Sequence, residues 1–156
     1  MARRRALATF NDDVARRIRF EREARKKGLA FSSCFAGRPR RLIYRIPIVV
    51  PVYDESRTLT ITMGASAHPS ARPPLVLIDG PVCRRHRFPD TGGLCMWWCE
   101  DPDDERWVPD DGLLALVGHA IDHAYCEVHC QQGHPWPKPE APRRHREGCP
   151  TCRPQQ

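Results

Sequence analysis

Hydrophobic positions recur at two different spacings along the chain, and these spacings predict a helix at each end with strands between them. From Asn11 or Asp12, either of which is a good N-cap, residues to about Lys27 show the pattern of a helix that Gly28 ends. The other positions of this helix are mostly charged. Its apolar side is thin and consists of Phe10, Val14 and Ile18.

Alternation of apolar and polar residues then predicts an antiparallel meander of strands. Pro47 and Pro51 interrupt the first run, which predicts an edge position or a bulge. Asp54–Arg57 is predicted to be a turn that makes a hairpin, and Leu75–Ile78 a short buried strand closed by Asp79 and Gly80. The two alternating apolar sets are Leu42, Tyr44, Ile46, Ile48, Val50 and Val52, and then Leu59, Ile61 and Met63.

The last third of the chain contains a long irregular segment and one strongly periodic helix. Residues 81–109 show no regular period, and irregular stretches of this length are usually functional or disordered. Asp110 or Asp111 is predicted to cap the helix, and an extended tail that packs through Trp136 follows Gly133. The predicted core face of the helix is Leu113, Leu114, Val117, Ala120, Ile121, Ala124, Tyr125 and Val128.

These elements predict an α+β fold: an N-terminal helix, an antiparallel meander of about four strands, a long irregular segment and a C-terminal helix. We expect one domain over residues 1–140 and a basic, cysteine-containing tail over residues 141–156. The 156 residues include 40% hydrophobic ones, which suits one globular domain and argues against a disordered tail or a multidomain assembly. No apolar run approaches the roughly 20 residues that cross a bilayer, and Ala6–Phe10 is too short for the apolar part of a signal peptide. We therefore expect a cytoplasmic protein with reduced cysteines and no membrane partner.

The net charge of +6 is distributed as two opposed patches. Residues 1–41 are rich in Lys and Arg, whereas Glu100–Asp111 contains seven acidic residues and only Arg106. One interpretation is that both patches are solvated surfaces. The other is that the basic segment docks an acidic partner, while the acidic loop sets the electrostatic environment of a nearby site. Nucleic acid is disfavoured as a partner because the basic run has no interleaved aromatic stacking platform and no base-reading motif.

Cys95 is the candidate nucleophile. It follows Gly92-Gly93-Leu94, a segment whose flexible backbone can bring amides close to a bound group. A cysteine nucleophile must be partly exposed, and its rate of attack depends on its thiolate fraction. His86, nine residues earlier, is the candidate acid or base, or a residue that braces the loop; alternatively, both residues are purely structural.

Four motifs, two of which contain these residues, follow one another along the chain. They are His68-Pro69 with Pro73-Pro74-Leu75-Val76, then His86, then Gly93-Leu94-Cys95, and then Trp107-Val108-Pro109. The ordered set resembles the ubiquitin-conjugating enzyme family, which has a Tyr-Pro…Pro-Pro loop, a His-Pro-Asn motif, a Gly-x-(Ile/Leu)-Cys active site and a Trp-x-Pro before its next helix. The resemblance covers about residues 11–130.

The chain also departs from that family. His86-Arg87-Phe88 stands where the family has His-Pro-Asn, so the Asn thought to support the oxyanion is missing. The short chain, the long acidic loop and the closing Gly133–Glu140 segment look more like the bacterial conjugating-enzyme-like proteins of antiphage operons with cyclic-oligonucleotide signalling, the CBASS type. Some of those operons have no separate activating enzyme.

The resemblance implies that Cys95 accepts a protein C-terminus as a thioester and passes it to an amine, with no cofactor required for catalysis. The implied acyl donor is a cGAS-like nucleotidyltransferase or a ubiquitin-like protein, and an activating enzyme is a further candidate partner. His86 would mostly organise the loop. Backbone amides or another side chain would supply the oxyanion donor.

A second constellation lies on the C-terminal helix and in the tail. His119, His123, Cys126 and Cys130 share one stripe, which is predicted to face roughly away from the core. Cys126 and Cys130 with Cys149 and Cys152 can make a four-thiolate structural zinc site, for which His129 and His145 are substitute ligands. The alternative is a solvated polar stripe and a tail without metal. Cys34 and Cys83 are predicted to be small core residues, and Cys99 is close enough to Cys95 in sequence for a disulfide under oxidation.

Two other classes of function remain open beside the acyl transferase. One is a non-catalytic binding module of the same fold, in which Cys95 is structural. The other is a zinc-stapled protein that binds nucleic acid through residues 1–41, with strongly salt-dependent affinity.

Overall fold

The computed structural model describes residues 13–64, 73–80, 86–97, 101, 102 and 104–139. The described elements are two helices and one four-stranded antiparallel sheet, so the α+β class and the meander are confirmed. The helices are α1 (Val14–Lys26) and α2 (Gly112–Gln131), and the strands are β1 (Ser32–Ala36), β2 (Arg41–Val50), β3 (Glu55–Thr62) and β4 (Leu75–Ile78). The sheet order is β1-β2-β3-β4, with α2 packed on β2 and α1 packed on α2.

The N-cap of helix α1 lies one residue after the later of the two predicted caps, Asp12, and the helix buries a different face from the predicted one. Asp13 is the N-cap, and its carboxylate accepts a hydrogen bond from the Arg16 amide at 2.8 Å. The predicted apolar side is wrong, because Val14 and Ile18 are 56% and 58% exposed. The residues that α1 buries are Phe20, Glu21 and Ala24. Phe10 lies outside the described residues.

Strand β2 alternates as predicted, with one face in the core and the other exposed, from Leu42 to Val50. The predicted position of Val52 is wrong: the chain turns at residues 51–54, and Val52 is exposed with φ 72°. The turn therefore precedes the predicted Asp54–Arg57, and β3 already begins at Glu55. Pro47 pairs with Thr58 in an unbroken register, so there is no bulge. On its other side β1 pairs only as far as Arg45, so Pro47 lies at a local edge, where its missing N–H costs no ladder bond.

Helix α2 is the predicted C-terminal helix, preceded by a 3-10 turn over Pro109–Asp111. Asp111 is its N-cap residue, but the Asp111 carboxylate accepts from the Val108 amide at 2.8 Å and not from an α2 amide. The fully buried face differs from the predicted one: it includes two polar side chains, His123 and Glu127, whereas the predicted Leu114, Ile121 and Tyr125 are only partly buried against the core. Its members are Leu113, Leu116, Val117, Ala120, His123, Ala124, Cys126, Glu127 and Val128.

A buried polar contact joins α1 to the sheet. The Tyr44 hydroxyl, at the centre of β2, donates to Glu21 Oε1 at 2.9 Å. Arg25 donates to the other oxygen of the same carboxylate at 2.6 Å. Glu21 thus keeps partners although it is on the buried face, which is the condition for tolerating a charge there.

Candidate functional site

The residues around Cys95 fold into a narrow hairpin, which we call the Cys95 segment (residues 86–97). Arg87 and Leu94 form an antiparallel bridge, the Cys95 amide donates to the His86 carbonyl at 3.0 Å, and the Phe88 amide donates to the Gly93 carbonyl at 2.8 Å. The structure therefore brings the two predicted site residues, His86 and Cys95, directly opposite each other. Cys95 is a half-buried thiol.

The Cys95 segment is attached to the sheet through β4. The Leu94 amide donates to the Val76 carbonyl at 2.9 Å, and the Leu94 side chain is buried. A Cβ atom on Gly93 would lie 2.6 Å from Leu75 Cδ1, so a larger residue at this position would have to displace the end of the Leu75 side chain.

The amides that precede the thiol are not available to a bound group, and the expectation that they approach one is wrong. The Gly92 amide donates to the Phe88 carbonyl at 2.8 Å, and the Gly93 amide donates to Thr91 Oγ1 at 3.2 Å. The Leu94 and Cys95 amides are used by Val76 and His86, as described above. Flexible glycines suggested free amides, but the hairpin uses three of the four donors and its attachment to β4 uses the fourth.

A buried ion pair joins the Cys95 segment to α2. Arg87 Nε donates to Glu127 Oε1 at 2.6 Å, and Arg87 Nη2 donates to Glu127 Oε2 at 2.7 Å. Both residues are nearly inaccessible, with exposures of 7% and 3%. Burial raises the pKa of Glu127, but the hydrogen bonds from Arg87 and the nearby His123 ring, whose Nε2 lies 3.5 Å from Glu127 Oε1, outweigh burial, and the pKa lies below its ordinary value.

The remaining Arg87 nitrogen contacts two backbone carbonyls, those of Ile78 at 3.3 Å and Gly92 at 3.4 Å. The guanidinium therefore links β4, the hairpin and α2. Sequence reasoning missed this connection, although Glu127 follows Leu113 and Ala120 at steps of seven residues along the predicted core face of α2. A charge at such a position indicates a buried partner.

The His86 side chain packs against aromatic rings. Trp136, from the segment after α2, stacks on it with ring centroids 3.8 Å apart, and His123 approaches edge-on at 6.5 Å. Trp136 also contacts the His123 ring at 5.3 Å. The predicted local packing of Trp136 is confirmed, and its partner is the candidate site itself.

A third histidine, His119, lies beside the other end of the Cys95 segment. Its ring meets Trp97 edge-on at 5.5 Å. Burial lowers the pKa of His119, so the neutral imidazole is favoured near pH 7. Sequence reasoning named His119 only as part of the polar stripe on α2.

The predicted outward orientation of that stripe is wrong. His123 and Cys126 are buried, Cys126 completely, because the chain after α2 folds back over the helix and brings Trp136 onto His123. Burial raises the pKa of Cys126, which favours its thiol over the thiolate that a metal requires. His129 Nδ1 lies 2.7 Å from the Tyr53 hydroxyl.

In the described part of the chain there is no group of three or more side chains that could hold a metal ion. Cys149, Cys152 and His145 lie outside the described residues, as do Cys83, Cys99, His68 and the tail over residues 141–156. Cys34 is not a core residue as predicted: it lies exposed on edge strand β1.

The two charged patches are both partly visible. The exposed positions of α1 include Val14, Ile18, Arg19 and Arg22, which follow one another along one side of the helix. Of the acidic loop, Asp104 and Glu105 are exposed, whereas Glu100 and Asp103 lie outside the described residues. Among the described helices, none has the length and apolar character needed to cross a membrane.

In comparisons with protein-family models, with curated proteins and with solved structures, nothing matched this chain.

Proposed function

We propose that this protein is a ubiquitin-conjugating-like acyl transferase that uses Cys95 as its nucleophile. The observation that carries the proposal is the half-buried Cys95 thiol on a hairpin attached both to β4 and to α2, with His86 opposite. The order of α1, four antiparallel strands, cysteine segment, Trp107-Val108-Pro109 and α2 supports a ubiquitin-conjugating-like fold.

The chemistry is two acyl transfers. The Cys95 thiolate attacks the carbonyl carbon of an activated protein C-terminus, the activating group leaves, and a thioester forms. An amine then attacks the thioester carbonyl, the C–S bond breaks, Cys95 leaves as thiolate and the amine loses a proton to solvent or base. The thiolate is a good leaving group, so the reaction depends chiefly on positioning, which can supply about 7 kcal/mol or more.

His86 is better suited to bracing than to proton transfer. Its ring stacks on Trp136, and its carbonyl accepts the Cys95 amide. The side chain and the backbone of His86 therefore both fix the hairpin. This arrangement agrees with the role that the family resemblance implies for it.

The proposed acyl donor is the C-terminus of a cGAS-like nucleotidyltransferase or of a ubiquitin-like protein, in bacterial antiviral defence in the cytoplasm. The exposed side of α1 supports an acidic docking partner, because Arg19 and Arg22 lie beside the exposed Ile18. Exchanging both arginines for glutamate should weaken the capture of such a partner or of an activating enzyme. The variant Arg38→Glu/Arg45→Glu, with the same change in charge elsewhere on the surface, should bind normally.

Thioester formation is tested with a peptide that has a C-terminal mercaptoethanesulfonate thioester as a chemical acyl donor. We expect an adduct that thiol reductants remove, that Cys95→Ala lacks and that Cys95→Ser retains as an ester. Cys34→Ser is the matched control, because Cys34 is an exposed thiol on a different element. An adduct that persists in Cys95→Ala but is lost in Cys34→Ser would overturn the proposal.

A non-catalytic binding module of the same fold is the second candidate. The observation that favours it is that the Gly92–Cys95 amides all donate to other groups of the protein, together with the missing Asn. That candidate predicts partner binding through α1 with no adduct on Cys95 from any activated donor.

A further inference from the structure

The proposed acyl transfer assigns no role to the Arg87–Glu127 ion pair. This pair is bidentate and buried, and it joins the hairpin strand opposite Cys95 to the C-terminal third of α2. The covalent route from Arg87 to Glu127 is forty residues long, so the ion pair is a direct tertiary link between distant parts of the chain.

The ion pair holds Arg87, which directly follows His86 in the hairpin. The His86 carbonyl accepts the Cys95 amide, and the adjacent Arg87 bridges Leu94, so any movement of Arg87 relative to α2 moves both strands of the hairpin. The hydrogen bond of Leu94 to Val76 fixes the hairpin to the sheet, but it does not fix its distance from α2.

A buried ion pair is an inefficient way to stabilise a fold. Desolvation of two charges offsets most of their attraction, and well-packed apolar replacements are often as stable. An ion pair defines a single geometry more strictly than apolar packing does, because a bidentate guanidinium–carboxylate contact has one preferred arrangement.

We propose that Arg87 and Glu127 are positioning residues that set the place of the Cys95 thiol relative to α2. This proposal concerns the same site as the proposed acyl transfer, and its predicted effect on catalysis rests on that proposed function. Neither side chain touches the reacting atoms; both act through the hairpin backbone.

The test separates positioning from stability with an apolar replacement of the pair, Arg87→Met/Glu127→Leu. We expect this variant to unfold at a denaturant concentration similar to that of the parent, because no charge is left unpaired. We expect hydrogen exchange at the Cys95 amide, measured by NMR, to be at least about tenfold faster. Transfer from a preformed Cys95 thioester to an amine should be roughly 10- to 100-fold slower in kcat, with the KM for the amine little changed.

Glu127→Gln and Glu21→Gln form the matched pair of single variants. Both replace a carboxylate that is almost fully buried and accepts from an arginine, but Glu21 lies on α1 and its partners are Arg25 and Tyr44. Both should lower stability, and only Glu127→Gln should speed exchange at Cys95 and slow transfer.

Each outcome decides the proposal. Unchanged exchange at the Cys95 amide in the apolar variant and in Glu127→Gln would overturn it, as would equal effects of Glu21→Gln. If the parent protein accepts no acyl group, the proposed function is wrong, and the exchange measurement still decides whether the pair positions Cys95.

Discussion

The Trp136 indole stacks on the His86 imidazole with ring centroids 3.8 Å apart and planes inclined by 24°. Trp136 follows α2 and His86 precedes Cys95, so this contact joins the end of the described chain to the candidate site. Lys138, two residues further, lies 3.4 Å from Asp122 of α2, which keeps the same segment along the helix.

Removing the indole tests this contact. Trp136→Ala should lower the free energy of unfolding by about 2 kcal/mol, because a half-buried aromatic surface and one ring stack are lost. The His86 ring protons should also shift downfield in NMR spectra, since they lose the ring current of Trp136. Trp136→Phe, which keeps a ring, is the control; unchanged His86 resonances in the alanine variant would contradict the stacking.

The Tyr44 hydroxyl should stabilise the contact between α1 and the sheet. Burial and the neighbouring Glu21 raise the pKa of Tyr44, so the hydroxyl stays protonated and donates to that carboxylate. Tyr44→Phe should cost about 1.5 kcal/mol of unfolding free energy in urea titrations, because a charged acceptor loses one buried donor. Thr58→Ala, on the exposed face of β3, should change stability far less; equal losses in the two variants would argue against the hydrogen bond.

Stability should depend on pH through Glu127. Its pKa in the folded protein lies below that of an unfolded glutamate, so its contribution is fully present above the unfolded value and is lost as pH falls through the folded value. Glu127→Gln should therefore be less stable than the parent by about 3 kcal/mol near neutral pH, and the difference should shrink in acid. Glu23→Gln, which removes an exposed partner of Lys26, should show little difference at any pH. A gap between parent and Glu127→Gln that is constant with pH would contradict the ionised carboxylate.

The four-thiolate zinc site stays a prediction, and metal analysis of the full chain tests it. We expect about one zinc per chain, which Cys149→Ser/Cys152→Ser should lose and Cys34→Ser should retain. Binding should release protons, since the buried Cys126 thiol must ionise to become a ligand. Protein that contains no zinc and has freely reactive tail thiols would show that the site does not form.

The sheet was the most predictable part of the fold, because alternating residues such as Leu59 and Ile61 have to face one side. Helix α1 was less predictable. Its periodicity pointed to Val14 and Ile18, yet the buried side contains Glu21, whose charge is tolerated only because Tyr44 and Arg25 hydrogen-bond to it. A contact between residues 23 positions apart leaves no local signal in the sequence.

At the candidate site, sequence reasoning placed Cys95 and His86 in one segment, and the structure brings them together. It missed the pairing of Arg87 with Glu127, because partners forty residues apart leave no local pattern in the sequence. It also placed His123 and Cys126 on an outward stripe, since the packing of Trp136 back onto α2 depends on tertiary structure rather than on helical period.

Four successive backbone N–H groups, from Gly92 to Cys95, already donate hydrogen bonds within the protein. They are therefore not available to stabilise negative charge that develops near the thiol. In the proposed acyl transfer, an oxygen that becomes anionic beside Cys95 has to be stabilised from another direction: by backbone beyond position 95, by a side chain from elsewhere in the fold, or by the docked substrate protein. The active site would then be complete only when the substrate protein is docked. The isolated chain would therefore react slowly with small acyl compounds.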